Sequence, residues 1–343
     1  MKMPLENLRD WFEKARRDFP WRGNPSPYQV WVSEVMLQQT RASVVVPYFL
    51  RWFKHFPTVE SLANASVDEV IKLWEGLGDY SRARNLHAGA QYLLSHHKGE
   101  VPSDEASLQK VKGLGPYTIG AILSFAFHQK AAAIDGNVSR VISRLYCIEE
   151  VLGTVNASKK IKTKVDELLP DTKPWVIMEA LIELGATVCT PKPNCSLCPM
   201  QDSCQGYQKG KEETLPLRKK RVEVTRLNRI VPLICHKGAY LVQKHQGKKV
   251  MTGLYEFPYF SKGEPWDLFY PGRLEAVAEF EQVKHTYTRF QVTLYPVLWH
   301  AEEREEVEGF CWKSIKALSK LPFSSGHRKI LAKLEEAHAD FTH

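Results

Sequence analysis

Two carboxylates have the surroundings that acid–base chemistry needs. Glu34 lies in Trp31-Val32-Ser33-Glu34-Val35-Met36-Leu37-Gln38-Gln39-Thr40, on one helical face with Val30, Trp31, Leu37 and Gln38. An apolar face disfavours the charged carboxylate, so its pKa rises and it can give and take a proton near neutrality. A buried Glu paired with an Arg is an equally open reading. Asp135 begins Asp135-Gly136-Asn137-Val138, just ahead of the apolar stripe Val138, Val141, Ile142 and Leu145. That is an N-cap position, and capping alone would account for it. A helix N-terminus also favours an ionised carboxylate, which could offset positive charge on a reacting centre. A proton donor with an ionised partner is the pair required to cleave a glycosidic bond through an oxocarbenium-like transition state.

Two further clusters bear on chemistry. Cys189, Cys195, Cys198 and Cys204 fall within a short span stiffened by Pro191, Pro193 and Pro199. Four thiolates so spaced are a metal-binding pattern. Tetrahedral zinc and a four-iron cubane both accept such a set, and the spacing does not choose between them. The stretch Val111-Lys112-Gly113-Leu114-Gly115-Pro116-Tyr117 runs from an apolar segment into a helix with Pro at its first turn. Its glycines would let another backbone approach closely, and the N–H groups opening the next helix form an anion site. It reads either as a helix–hairpin–helix gripping a DNA phosphate or as a plain helix–helix turn.

These residues must be held by a succession of helices. Periodicity predicts helices over residues 5–19, 30–38, 67–74, 80–96, 106–112, 119–127, 138–145, 157–169 and 173–188. Ser66 with Glu69 forms a capping box at the start of the third. A polar stretch, 207–226, reads as a linker and carries the basic run Arg218-Lys219-Lys220-Arg221, as consistent with a solvated segment as with a phosphate contact. Beyond it, short β-branched or aromatic runs at 230–236, 239–243, 286–298 and 308–312 predict strands. Helices are predicted at 266–268, 274–280 and 325–337. The division is thus 1–206, all-α; 207–226, linker; and 227–343, α+β. At 343 residues the chain is long enough for a core in each half, and 43% hydrophobic with 25% charged residues excludes collagen-like and wholesale disordered classes. Lys and Arg outnumber Asp and Glu by 47 to 39, which favours a polyanionic partner. No run approaches a membrane span. The charged N-terminus and the clustered cysteines lead us to expect a reducing, cytoplasmic setting and no membrane partner.

Taken together, the motifs resemble those of the MutY-type adenine DNA glycosylases, and the resemblance runs through both halves. It is carried by the 28–40 stretch, by Trp74-Glu75-Gly76-Leu77-Gly78, by Tyr80-Ser81-Arg82-Ala83-Arg84-Asn85-Leu86, by Gly113 and Gly115, by the 135–140 stretch, and by Gly253-Leu254-Tyr255-Glu256-Phe257-Pro258. The resemblance implies a helix–hairpin–helix glycosylase domain with an iron–sulfur loop, followed by a Nudix-like lesion-recognition domain. It implies double-stranded DNA with adenine opposite 8-oxoguanine as partner, and hydrolytic removal of the flipped-out adenine. Glu34 would protonate the base and Asp135 stabilise the oxocarbenium ion, flanked by Tyr117 and Asn137. Gln39, Thr40, Asp79, Tyr80, Arg82, Gly113, Gly115, Tyr287, Thr288 and Arg289 would contact DNA or lesion. The four cysteines would hold [4Fe–4S], and a monovalent cation would sit at the hairpin. A monomeric enzyme working at a bacterial nucleoid is expected.

The chain departs from that pattern at four places. Asp79 stands where the family has the first of two tyrosines, Lys112 where the hairpin has Pro, and Tyr287-Thr288-Arg289 where it has Phe-Ser/Thr-His. The first cysteine spacing is one residue short. Bifunctional relatives carry a Schiff-base Lys at the position of Tyr117, and a Tyr cannot form an imine, so a monofunctional hydrolase is implied. Two rival readings stand beside this one: a non-catalytic DNA-binding protein on the same scaffold, and a uracil or thymine mismatch glycosylase.

Overall fold

A computed structural model describes residues 2–219, 224–246, 251–287 and 290–340. The chain forms two compact units, each discontinuous in sequence. One comprises residues 1–64 with 85–220, the other residues 65–84 with 221–343. The sequence reading placed 65–84 among the glycosylase helices, whereas here they pack with the C-terminal residues.

In chain order the helices are α1 (Lys2–Ala15), α2 (Pro27–Leu37), α3 (Ala42–His55), α4 (Val59–Asn64), α5 (Val67–Trp74), α6 (Ser81–His97), α7 (Glu105–Leu108), α8 (Pro116–Ala121), α9 (Gly136–Leu145), α10 (Val155–Leu168), α11 (Pro174–Thr187) and α12 (Gln205–Gln208). The Ser66–Glu69 capping box is formed as expected. A second one opens α2, where Ser26 accepts from the Gln29 N–H and the Gln29 side chain returns to the Ser26 N–H. Helices α3 and α4 were missed. The first turns of α3 contain Val44-Val45-Val46-Pro47, β-branched residues and a Pro that are poor helix formers. Burial of Val45, Phe49 and Trp52 outweighs that propensity. The helix expected over 119–127 is α8 followed by a π-helical turn, Ile122–Ala126. The one expected over 106–112 shrinks to a single turn.

The helical core joins Leu8 and Phe12 of α1, Val138 and Ile142 of α9, Ile161 and Val165 of α10, and Ile177, Leu181 and Leu184 of α11. Each fully buried aliphatic side chain contributes about 1.5–3 kcal/mol. The expected linker is anchored at one place, while most of its described residues are exposed. Leu215 is buried, its carbonyl accepts from Arg144, and the Leu217 carbonyl accepts from the Leu152 N–H.

The second unit is built on an eight-stranded sheet: β1 (Thr225–His236), β2 (Ala239–Lys244), β3 (Tyr255–Glu256), β4 (Phe260–Ser261), β5 (Leu274–Glu279), β6 (Val283–Tyr287), β7 (Phe290–Ala301) and β8 (Phe310–Ser314). Its main path runs β3-β2-β1-β7-β5; β4 pairs with β1, β6 with β7 and β8 with β2. The long parallel pair β1 and β7 runs in register from Thr225↔Phe290 to Cys235↔His300. Two helices follow, α13 (Ile315–Leu318) and α14 (Ser325–Asp340). Val231, Leu233, Tyr240 and Val242 pack with Ile330, Leu331 and Leu334 of α14, while Ile234 and Leu241 point to a separate cluster with Tyr270 and Ala301. That split is the two-residue alternation of a pleated strand. Residues 274–280, expected as helix, instead form β5. Leu274 and Val277 have helical spacing, but β5 pairs antiparallel with β7, with an irregularity in register between Ala276 and Ala278. The 266–268 helix is a 3-10 turn, Trp266–Phe269.

Candidate active site

Helix α2 is buried on nearly all sides, from Tyr28 to Met36. Glu34 is only 6% exposed, yet it lines a cleft of about 1570 Å³ together with Tyr117, Asp135 and Asn137. The Tyr117 hydroxyl donates a hydrogen bond to Glu34 Oε2. Burial pushes the Glu34 carboxyl up to about 7; the Tyr117 hydrogen bond opposes this, and the Asp135 and Glu179 charges reinforce it. The Tyr117 phenol is itself driven well above its usual range by burial and by the Glu34 charge, so it remains a neutral donor.

Asp135 is the N-cap of α9. Its Oδ1 accepts from the Val138 N–H at 2.7 Å and its Oδ2 from the Asn137 amide at 2.8 Å. The helix start was expected to favour the ionised form. Burial dominates instead and raises the pKa, while the hydrogen bonds from Val138 and Asn137 restrain the rise. Asn137 is fixed from behind. Its Oδ1 accepts from Arg140 Nη2 at 2.8 Å, and the same nitrogen donates to the Gly185 carbonyl at 2.7 Å. A Cβ on Gly185 would come within 2.6 Å of Asn137 Cβ, so only glycine lets α11 approach α9 there.

Gln39 and Thr40 follow α2 and line the same cleft. Gln39 is exposed with φ +57°, which turns the chain sharply at the helix end. At the hairpin, Gly113 has φ +87°, and a Cβ there would lie 2.6 Å from Asn85 Cβ. Gly115 caps α8 with open space around it, so another molecule's backbone could come close to the free N–H groups of that helix start.

Two of the residues assigned to DNA or lesion contact are turned inward. Tyr80 is buried, and its hydroxyl donates to the Phe323 carbonyl. Arg82 is buried too; its Nη2 donates to the carbonyls of Leu77 and Gly78, and its guanidinium lies 5.2 Å from the Trp74 ring. Each side chain is consumed in bracing a turn and is not displayed to a ligand. Tyr287 ends β6 opposite Phe290. Thr288 and Arg289 lie outside the described residues. Asp79 is exposed, and its carboxylate accepts from the Ser81 N–H and hydroxyl.

Cys189, Cys195, Cys198 and Cys204 line one cavity walled by Val141, Leu145, Leu184 and Val188. Burial pushes the Cys198 thiol up to about 11 and raises Cys195 and Cys204 as well. Four crowded thiols in an apolar recess become thiolates only with a cation among them, so the donor set fits a metal group. Among the described residues no three Cys, His, Asp or Glu side chains are disposed to grip a single ion. Arg144, almost fully buried, donates to Cys189 Sγ and to the carbonyls of Thr190 and Pro191, which stiffens the loop.

Sequence reasoning missed two cleft residues, Arg22 and Glu179. Burial raises the Glu179 pKa. One turn further on, Glu183 is paired with Arg17 and Arg22 at 2.6 Å each. The structural role considered for Glu34, a buried carboxylate held by arginine, therefore belongs to Glu183. The available signal was two Glu four residues apart inside the apolar run of α11.

Residues 32–171 match the HhH-GPD superfamily base excision DNA repair protein family, and residues 230–333 match the NUDIX domain. An adenine DNA glycosylase of Mus musculus is 41% identical over 225 residues, 62% of this chain and 44% of that protein, so the chain spans less than half of that relative's length. An adenine DNA glycosylase of Buchnera aphidicola subsp. Acyrthosiphon pisum is 32% identical over 257 residues, 74% of this chain and 73% of that one. Among solved structures, a thermostable thymine-DNA glycosylase superposes with TM-score 0.54 at 28% identity, covering 60% of this chain and 95% of that one.

Proposed function

Because the chain belongs to the adenine DNA glycosylase family, we propose that it excises adenine paired with 8-oxoguanine or guanine in duplex DNA, as a monofunctional hydrolase. The observation that carries this reading is the Glu34–Tyr117 hydrogen bond, in one cleft with the capped Asp135. With its pKa near 7, Glu34 holds a proton to give and sits beside a donor that keeps it oriented. The proton goes to the adenine ring as the bond between C1′ and the base nitrogen breaks, and the bonding pair leaves with the base. The Asp135 carboxylate offsets the sugar cation until water adds to C1′ and gives up a proton, which restores the acid form of Glu34. Mutual repulsion helps keep the two carboxyls apart in protonation, one neutral and one ionised.

The cysteine loop is proposed to hold [4Fe–4S]; such a cluster, when bound, would tie the loop into one body through metal–thiolate bonds. The chain would act as a monomer in the cytoplasm, its 113–115 hairpin meeting a DNA phosphate with a monovalent cation at the turn. The defining experiment measures free base released from duplexes carrying adenine opposite 8-oxoguanine, adenine opposite guanine, and thymine opposite guanine. Adenine release supports the proposal. Thymine release alone would move the assignment to mismatch repair of thymine, the reading favoured by the likeness to the thymine-DNA glycosylase. Borohydride should trap no protein–DNA adduct, because Tyr117 offers no amine for an imine.

A further inference from the structure

The cations lining the cleft that holds Glu34 and Asp135 are Arg17, Arg22, Arg41, Arg140, Lys162 and Arg218. Most of them are engaged. Arg17 and Arg22 pair with Glu183, Lys162 pairs with Asp166, and Arg140 donates to Asn137 and to the carbonyls of Cys189 and Gly185. Arg41 and Arg218 are exposed and have no acidic partner among the described residues. Arg41 directly follows Gln39 and Thr40. Arg218 comes instead from the segment read as a linker, where it opens the basic run. Its place on the cleft wall is fixed by the main chain just before it. The Leu215 carbonyl accepts from Arg144 Nε at 2.9 Å, and the Leu217 carbonyl accepts from the Leu152 N–H at 2.8 Å. These bonds tie the segment to the turn ahead of α10, so Arg218 shares the cleft wall with Leu152, Gly153 and Lys162. Lys219, the next residue of the run, is exposed and lies off that wall. Burial lowers the Arg140 pKa, and the charges of Arg144 and Arg218 add to the lowering. Like charges gathered in this way favour an anion beside them.

We propose that Arg218 is a phosphate-binding residue of the cleft, gripping one backbone phosphate of the strand that carries the excised base. The inference rests on the glycosylase reading. It adds to that reading a contact drawn from the basic run, separate from the hairpin. A guanidinium meets a phosphate with two parallel hydrogen bonds, which a lysine ammonium reproduces only as a point charge. A phosphate contact fixes the register of the strand and carries no base information. Arg218 therefore strengthens binding of every duplex alike and leaves the choice of opposite base untouched. Lys219, off the wall, contributes no seat of its own.

The test uses the full chain with Arg218→Ala, Arg218→Lys and Lys219→Ala. Affinity is titrated over a series of salt concentrations on two duplexes, with 8-oxoguanine or guanine opposite adenine, and adenine release by the parent is measured on the same two. Arg218→Ala is expected to weaken both duplexes about tenfold, the effect of one charged hydrogen-bonded contact. The slope of log affinity against log salt should become shallower by about one phosphate. Arg218→Lys should recover part of the loss, and Lys219→Ala should stay within about twofold of the parent. An Arg218→Ala loss within about twofold, or one matched by Lys219→Ala, overturns the site and makes the run a solvated charged segment. A loss confined to one of the two duplexes overturns it as well, because a phosphate is the same in both. Absence of adenine release by the parent defeats the glycosylase reading instead, and Arg218 is then judged on affinity and salt slope alone.

Discussion

In the proposed reaction, Glu34 is where burial would be converted into chemistry. The carboxyl is buried against α2's apolar neighbours, and its pKa rises from 4.5 to about 7. Glu34→Gln should slow adenine release by at least ~100-fold while duplex binding persists, because a general acid is lost and the shape is kept. In the parent, the rate should fall on the alkaline side as Glu34 ionises near pH 7. The same shift makes a stability prediction. Below pH 4.5 both folded and unfolded chains hold the proton; between 4.5 and 7 only the folded chain does, so its stability falls as pH rises. Above 7 the loss is complete, about 3 kcal/mol for a shift of this size. Glu34→Gln should therefore gain stability over the parent at pH 8 and little at pH 4, as read from denaturant melts at both. Asp135→Asn separates two roles. Asn caps a helix as well as Asp, so the melting temperature should move little, but a neutral amide cannot offset a sugar cation. Parental single-turnover rates in that variant would leave Asp135 as a cap alone.

At the scale of elements, the 76–79 turn shows what a substitution can cost. Asp79 holds φ +32°, and its carboxylate accepts from the Ser81 N–H and hydroxyl. A tyrosine there loses both bonds and sits in a left-handed conformation that side chains resist, costing about 1–3 kcal/mol. It gains a ring that can stack on an unpaired base, worth roughly 1–3 kcal/mol. Asp79→Tyr should therefore lower the melting temperature but strengthen binding to the 8-oxoguanine duplex and speed adenine release. An enzyme no faster than the parent would show that this turn is not a wedge. Tyr80 cannot substitute for it in this arrangement, since its hydroxyl is bound at Phe323.

At the scale of the whole molecule, the cysteine loop is joined to the catalytic cleft through α9. Arg144 holds the loop at Cys189, Thr190 and Pro191, and Arg140 joins the Cys189 carbonyl to Asn137. Protein purified without oxygen should carry four irons per chain and lose both folding cooperativity and duplex binding when the iron is stripped. Stoichiometric zinc with no iron would overturn the cluster assignment. The apolar walls of the cavity, Val141 and Leu184 among them, belong to the same core that supports α9. Emptying the loop should therefore also loosen the Asp135 end of that helix, visible as faster amide exchange at Val138.

The sequence by itself singled out Glu34, Asp135 and the four cysteines as candidates, because each lies in a local pattern that a short window contains: an apolar helical face, a cap before a stripe, a close run of thiols; the structure brings the two carboxyls to one cleft and the cysteines to one cavity. The Ser66–Glu69 box was legible in the same way. The tertiary structure decided what depends on partners distant in sequence. Whether 274–279 is helix or strand was settled by the neighbouring β7. Which buried Glu is paired with arginine was settled by Arg17 and Arg22, more than 160 positions away. That residues 65–84 pack with the C-terminal unit follows from main-chain groups at Thr252, Leu321 and Phe323. A backbone carbonyl is the same in every residue, so nothing in the sequence announces which one a distant side chain will seek; only the folded chain brings the two together.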